Sequence, residues 1–273
     1  MVIGAQPLLL VGAGKMGSAM LERWIERGLE SSEVTILDPY LEGERWAELA
    51  RVGVATATSV TAAADRAYKI VVLAVKPQSM AEALAQVRPL ATRDTTIVSI
   101  AAGVRLAKLE AAFPQDQPVV RAMPNTPAQV GMSMSVAVAN QHVADVERGA
   151  VDALLSAIGK VAWTDDESLL DAVTAVSGSG PAYVFLLAEA LAEAGRKAGL
   201  PKDLAALLAR QTVAGAGVLL ARSPLSPDVL RKHVTSPAGT TEAALRVLMS
   251  DDGLQPLMDR AVDAAKKRST ELG

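Results

Sequence analysis

Few side chains in this sequence suit covalent or metal chemistry. No cysteine occurs among its 273 residues and the two histidines are His142 and His233, so no thiolate nucleophile and no histidine-rich metal site is expected. His142 lies in Asn140-Gln141-His142-Val143, which reads as a solvated turn; His233 follows Arg231 and Lys232 ahead of a glycine-containing loop. Neither has a G-x-S-x-G elbow to serve, so a Ser-His-Asp hydrolase is not expected. What the chain does carry is small residues and hydroxyls just before helix-like segments, in Ser177 to Pro181 (SGSGP) and Thr235 to Thr241 (TSPAGTT). The second combines successive backbone N–H groups with the hydroxyls of Ser236, Thr240 and Thr241, a natural cradle for a carboxylate. Plain helix capping by Ser and Thr is the competing reading of both loops. Hydride transfer suits such a site, because a cofactor supplies the electrons and the protein supplies binding, orientation and polar contacts.

A place for that cofactor is signalled by Gly12, Gly14 and Gly17, a G-x-G-x-x-G directly after the strand-like Leu8 to Val11. Gly12 permits a tight turn, Gly14 lets backbone approach a pyrophosphate, and Gly17 lets the following helix pack close to the strand. A second β-rich run, Val34 to Leu37, ends in Asp38, where an acidic group about 20 residues beyond the glycines grips a ribose hydroxyl.

The elements that position these residues alternate. Strands are expected at Ile70 to Val75, Thr96 to Ala101, Val119 to Met123, Met132 to Ala139 and Val161 to Trp163. Helices are expected between them, over Leu41 to Val52, Ser79 to Leu90, Arg105 to Phe113 and Val143 to Ile158. Such alternation predicts an α/β domain with a mostly parallel sheet, and ligands collect outside the carboxyl ends of its strands. Beyond Glu167 the pattern is helical throughout, with segments at Ser168 to Val176, Pro181 to Ala198, Lys202 to Ala221, Pro227 to His233, Thr240 to Met249 and Gly253 to Glu271. The expected division is therefore a Rossmann-type dinucleotide-binding domain over 1–164 and an all-helical domain over 165–273. With aromatic residues at 3% of the chain, the helical domain has only small aliphatic side chains for a core, and it is expected to pack against a second copy.

The formal net charge of −3 gives no sign of a polyanion partner, so nucleic acid is not expected. Met1 to Leu10 lacks the basic region of a secretory signal, and apolar stretches such as Ala182 to Gly195 are interrupted by Glu189 and Glu193. No membrane partner is expected, and the absence of cysteine agrees with a cytoplasmic location.

Together these segments resemble the pyrroline-5-carboxylate reductases, which make proline from its cyclic imine. The resemblance runs through VGAGKMG at the first turn, LAVKPQ at Leu73 to Gln78, SIAAGV at Ser99 to Val104, RAMPNTPA at Arg121 to Ala128, AVSGSGPAY at Ala175 to Tyr183 and SPAGTTEAAL at Ser236 to Leu245. It implies an N-terminal dinucleotide fold, NADPH or NADH as cofactor, no metal, and a helical domain that interlocks with a partner subunit in a dimer and, beyond that, a decamer. It implies cofactor contacts from Val11, Gly12, Ala13, Gly14, Lys15, Met16 and Gly17, with Asp38 beside them, from Ala74, Val75, Lys76 and Pro77, and from Ile100, Ala101 and Ala102. The cyclic imino acid is then expected between the nicotinamide and the Ser236 to Thr241 loop. The N–H groups of Gly239, Thr240 and Thr241 would hold its carboxylate, the Thr241 hydroxyl would contact its ring nitrogen, and Glu167 would stand at the pocket's edge.

Two positions depart from the family pattern. Ala238 stands where many relatives have the first of two glycines. Asp38 stands where many have uncharged or basic residues that accept a 2′-phosphate, which favours NADH unless Arg45 or Lys15 compensates. The competing readings are a β-hydroxyacid dehydrogenase, whose acid/base lysine has no counterpart early in the helix after Pro181, and a non-catalytic NAD sensor, whose helical domain would bind a partner protein.

Overall fold

The computed structural model describes residues 6–40 and 44–272, and the side chains of all of these but 44–46. The expected helix over Leu41 to Val52 therefore begins outside the described residues, as do the first five residues weighed for a signal sequence. The chain forms two compact units, Met1–Gly178 with Ala265–Gly273, and Ser179–Ala264.

The first unit runs β1 (Leu8–Val11), α1 (Lys15–Glu26), β2 (Val34–Leu37), α2 (Glu44–Arg51), β3 (Ala55–Ala57), α3 (Val60–Ala63), β4 (Ile70–Leu73), α4 (Met80–Val87), β5 (Thr96–Ser99), α5 (Leu106–Glu110), β6 (Val119–Met123), β7 (Ser133–Ala139), α6 (Asp145–Ser156), β8 (Gly159–Trp163) and α7 (Leu170–Val173). The strands form one sheet in the order β3-β2-β1-β4-β5-β6-β7-β8. All pairs are parallel except β6 with β7.

The sequences of β1, β2, β4 and β5 (LLLV, VTIL, IVVL, TIVS) are buried at every position, as befits strands covered on both faces. Successive side chains feed opposite layers. Leu8 and Leu10 join Trp24, Ile36 and Leu154 on one face, whereas Leu9 and Val11 join Leu37, Val71 and Met80 on the other. The Trp24 Nε1–H donates to the Leu154 carbonyl at 2.8 Å, satisfying the polar end of a fully buried ring and tying α1 to α6. Strand order reverses at β1, between β2 and β4, so the carboxyl ends of these strands open the crevice expected at a switch point.

No apolar run in the sequence marks β3. Its Ala-Thr-Ala is defined only by pairing with β2, in the register Thr35↔Ala55 to Leu37↔Ala57.

The compact unit also extends past the expected boundary at 164/165, because the segment that follows β8 bonds back to it. Glu167 pairs with Arg121, Ser177 accepts from Asn125, and Asp171 accepts the Ser269 and Thr270 hydroxyls at 2.7 and 3.0 Å. Thr174 to Val176, read from spacing as the end of an ordinary helix, form a π-helical turn together with Ser177 and Gly178, a feature common near functional sites.

The second unit contains α8 (Gly180–Lys197), α9 (Lys202–Arg222), α10 (Pro227–His233), α11 (Thr240–Leu248) and the first part of α12 (Leu254–Leu272), whose last turns belong to the first unit. Its buried hydrophobic residues, among those described, are Ala205 and Ala209. Phe185, Leu186, Leu187, Leu207 and Leu219 are all more than half exposed. Gly215 and Gly217, inside α9, have open space around them within the single chain. The sequence pattern rates these apolar stretches too short to cross a membrane. By length and composition alone, the helical stretches Glu167–Lys197 and Lys202–Arg222 would be long and apolar enough.

Candidate functional site

The glycine turn has the geometry that dinucleotide binding requires. Gly12 has φ +91, and a Cβ there would meet the Ala74 backbone and Val75. A Cβ on Gly17 would lie 2.3 Å from the Gly12 carbonyl oxygen, so only glycine lets α1 lie this close to the strand. Around Gly14, by contrast, nothing lies within 4 Å of the place a Cβ would occupy. That open approach, at the N-cap of a helix with no side-chain cap and no acid in its first turn, fits a pyrophosphate.

Asp38 closes the turn. Its Oδ2 accepts the Ala13 N–H at 2.8 Å and its Oδ1 accepts the Tyr40 N–H at 2.9 Å. The carboxylate thus fixes the glycine turn against the end of β2, while each oxygen retains a lone pair for a ribose hydroxyl. Beside it lies a cleft of about 260 Å³ lined by Val11, Gly12, Gly14, Asp38, Ala74, Val75 and Lys76. Tyr40, 85% exposed, and Ser79, Glu82 and Gln86 line it as well. Sequence reasoning passes over these four, because an exposed turn and the polar face of a helix carry no motif.

The other expected cofactor residues are distributed around this turn. Ala13 and Lys15 line an adjoining hollow with Ser18, Glu22 and Gln129, and Met16 packs against the core. Pro77 starts the turn that leads into α4. Ile100 and Ala101 bury their side chains in the two core layers, so they present backbone only, and Ala102 follows them half-buried. The Arg45 side chain lies outside the described residues.

Glu167 does something more specific than edge a pocket. Its Oε1 accepts both Arg121 Nη1 and the Leu106 N–H, each at 2.8 Å, so it neutralises a guanidinium whose side chain is 4% exposed and caps α5. Arg121 itself, which sequence reasoning noted only as part of a motif, is the buried cation of this unit's β6. Next along, the Asn125 side chain is fully used. Its Nδ2 donates to the carbonyl and hydroxyl of Ser177, and its Oδ1 accepts from the Met134 N–H and the Ser133 hydroxyl. The RAMPNTP and SGSGP segments are thereby joined by one amide.

In the second unit, Ser236-Pro237-Ala238-Gly239 forms a turn closed by the Gly239 N–H to the Ser236 carbonyl at 3.1 Å. Proline in second place and a left-handed residue in third define a type II turn, and the third place is Ala238 at φ +56. Of the three amides expected to cradle a carboxylate, the Gly239 N–H is therefore bonded within the turn. The first-turn N–H groups of Thr240 and Thr241 remain, since a helix's own ladder leaves them unpaired and no side chain caps α11. Ser236 and Thr240 are exposed and Thr241 is half-buried. Glu242 accepts the Ala238 N–H from inside the helix. His233 is exposed at the end of α10, and His142 lies in the turn after β7, where its N–H donates to Asn140 Oδ1.

Comparison with known proteins agrees with both parts. A family model described as pyrroline-5-carboxylate reductase dimerisation matches residues 167–272, and one described as NADP oxidoreductase, coenzyme F420-dependent, matches residues 8–103. The pyrroline-5-carboxylate reductase of Pseudomonas aeruginosa is 40% identical over 97% of this chain and 96% of its own. Among solved structures, a pyrroline-5-carboxylate reductase from Coxiella burnetii is 32% identical with a TM-score of 0.89, covering 99% of each chain. The pyrroline carboxylate reductase of Plasmodium falciparum, solved with NADP bound, is 27% identical with a TM-score of 0.84 and covers both chains completely.

Proposed function

The chain belongs to the pyrroline-5-carboxylate reductase family, and from that premise we infer how its own residues reduce the C=N bond of 1-pyrroline-5-carboxylate to L-proline, the last step of proline biosynthesis. NADPH or NADH, when bound, supplies the hydride. The cleft at the ends of β1, β2 and β4 would hold the dinucleotide, with Gly14 and the α1 N-terminus available to its pyrophosphate and Asp38 to its adenosine ribose. The dinucleotide-binding elements lie within residues 1–164, and elements within 165–273 bind the imino acid and pair with a second copy.

The turn closed by Gly239 carries this assignment. By spending that amide, it leaves the Thr240 and Thr241 N–H groups directed out of a helix N-terminus, where they hold the substrate carboxylate. Anchored there, the imine has its ring nitrogen at the Thr241 hydroxyl, which holds the proton that makes the C=N electrophilic. Ser236 adds a hydroxyl at the rim of that loop, and Glu167 keeps β6 and α5 in place within the first unit. The apolar faces of α8 and α9 are covered by a second copy, and such dimers assemble into a decamer in the cytoplasm, as the family resemblance implies.

Cofactor oxidation by the purified enzyme tests the assignment, with pyrroline-5-carboxylate set against a panel of β-keto acids. Turnover confined to the cyclic imino acid is expected. Turnover confined to the keto acids would instead make the chain a β-hydroxyacid dehydrogenase.

A further inference from the structure

We propose that Glu242 is a positioning residue for substrate binding, a clamp that holds the Ser236–Gly239 turn in the shape that aims the Thr240 and Thr241 amides; this rests on the reading that those amides hold the substrate carboxylate. The turn has a built-in weakness. A type II turn wants glycine in its third place, and here that place is Ala238 at φ +56, a conformation that L side chains other than Asn and Asp resist. Something must compensate, and the structure supplies it three residues into α11. Glu242 reaches back past the N-cap Gly239, and its Oε2 accepts the Ala238 N–H. A capping-box glutamate commonly stops at the N-cap amide; this one grips the residue before it, which is the strained one.

The charge on the clamp is managed as well. A carboxylate beside an amide cradle meant for another carboxylate would repel it, but Arg246, one helical turn on, pairs with Glu242 Oε1 at 3.0 Å. One oxygen therefore holds the turn and the other holds the cation. Arg231 and Lys232 from α10 line a hollow of about 380 Å³ together with Glu242 and Arg246, and Lys232 is in turn paired with Asp228 at 3.2 Å.

The test is steady-state kinetics of the full-length enzyme with pyrroline-5-carboxylate and NADPH, for Glu242→Ala, Glu242→Gln, Ala238→Gly, the double variant Ala238→Gly with Glu242→Ala, and Thr241→Ala as a probe of the loop itself. Glu242→Ala is expected to raise KM for the imino acid about tenfold while kcat changes less than about twofold, the signature of lost ground-state positioning. Glu242→Gln retains an acceptor and is expected to stay within about threefold of the parent KM. With glycine at 238 the turn needs no clamp, so Glu242→Ala in that background is expected to raise KM less than about twofold. An unchanged KM in Glu242→Ala, or an equal rise in both backgrounds, would overturn the clamp. If these occur while Thr241→Ala still lowers kcat, only the clamp fails; if Thr241→Ala is silent too, the loop does not hold substrate and the underlying reading falls with it.

Discussion

A protonated C=N accepts hydride far more readily than a neutral one, so the group nearest the ring nitrogen has only to hold a proton there. On the proposed reading a hydroxyl fills that place, in a sequence with no cysteine and with histidines only in a turn and at a helix end. Thr241→Ala should lower kcat by about 100-fold, with a smaller rise in KM, because the lost interaction matters most in the transition state. An unchanged kcat would remove Thr241 from the chemistry. At the other end of the cofactor, the Asp38 carboxylate is fixed by two backbone N–H groups and cannot swing aside for a 2′-phosphate. Two unit charges 4 Å apart interact by about 1 to 4 kcal/mol near a surface, and Glu82 adds a second carboxylate to the cleft. NADH should therefore give a kcat/KM at least comparable with that for NADPH. A preference for NADPH of about 100-fold would show that other groups outweigh Asp38.

Among the elements, β1, the glycine turn and α1 act as one device, and two of its glycines separate folding from binding. Gly17→Ala places a methyl 2.3 Å from the Gly12 carbonyl oxygen and should destabilise the protein by about 1 to 3 kcal/mol, visible as a lowered Tm. Gly14→Ala meets nothing within 4 Å, so its Tm should stay near that of the parent while KM for the dinucleotide rises. Equal Tm losses in the two variants would contradict this division. That the sequence announces this device so clearly has a physical basis. The buried tetrads LLLV and IVVL leave no alternative to central strands, and three glycines at fixed spacing answer three separate steric demands. β3 is illegible because Ala55, Thr56 and Ala57 have no pattern of their own and become a strand only against β2. The roles of Arg121, Asn125 and Glu167 are equally hidden. They are defined by partners 46 and 52 positions away, at distances that no local pattern reports. Likewise, the loss of the Gly239 amide to the turn follows from the left-handed Ala238, a conformation that residue type argues against.

At the scale of the molecule, the second unit cannot bury its own apolar surface. Side chains such as Phe185 at 63% and Leu207 at 63% exposed would be left in water by a solitary chain. A match to a dimerisation family accounts for the same helices that pass for membrane spans by length and composition, since a partner's helices and a bilayer offer a similar apolar environment. Light scattering at micromolar concentration should give a mass at least twice the 28.3 kDa of one chain, and a monomer mass would contradict the pairing. The most direct test of the whole account is a crystal structure of the assembled enzyme with proline and the oxidised cofactor. It should place the proline carboxylate on the Thr240 and Thr241 amides, with the ring nitrogen at the Thr241 hydroxyl. A proline carboxylate bound away from that helix start, with both amides left to solvent, would contradict it.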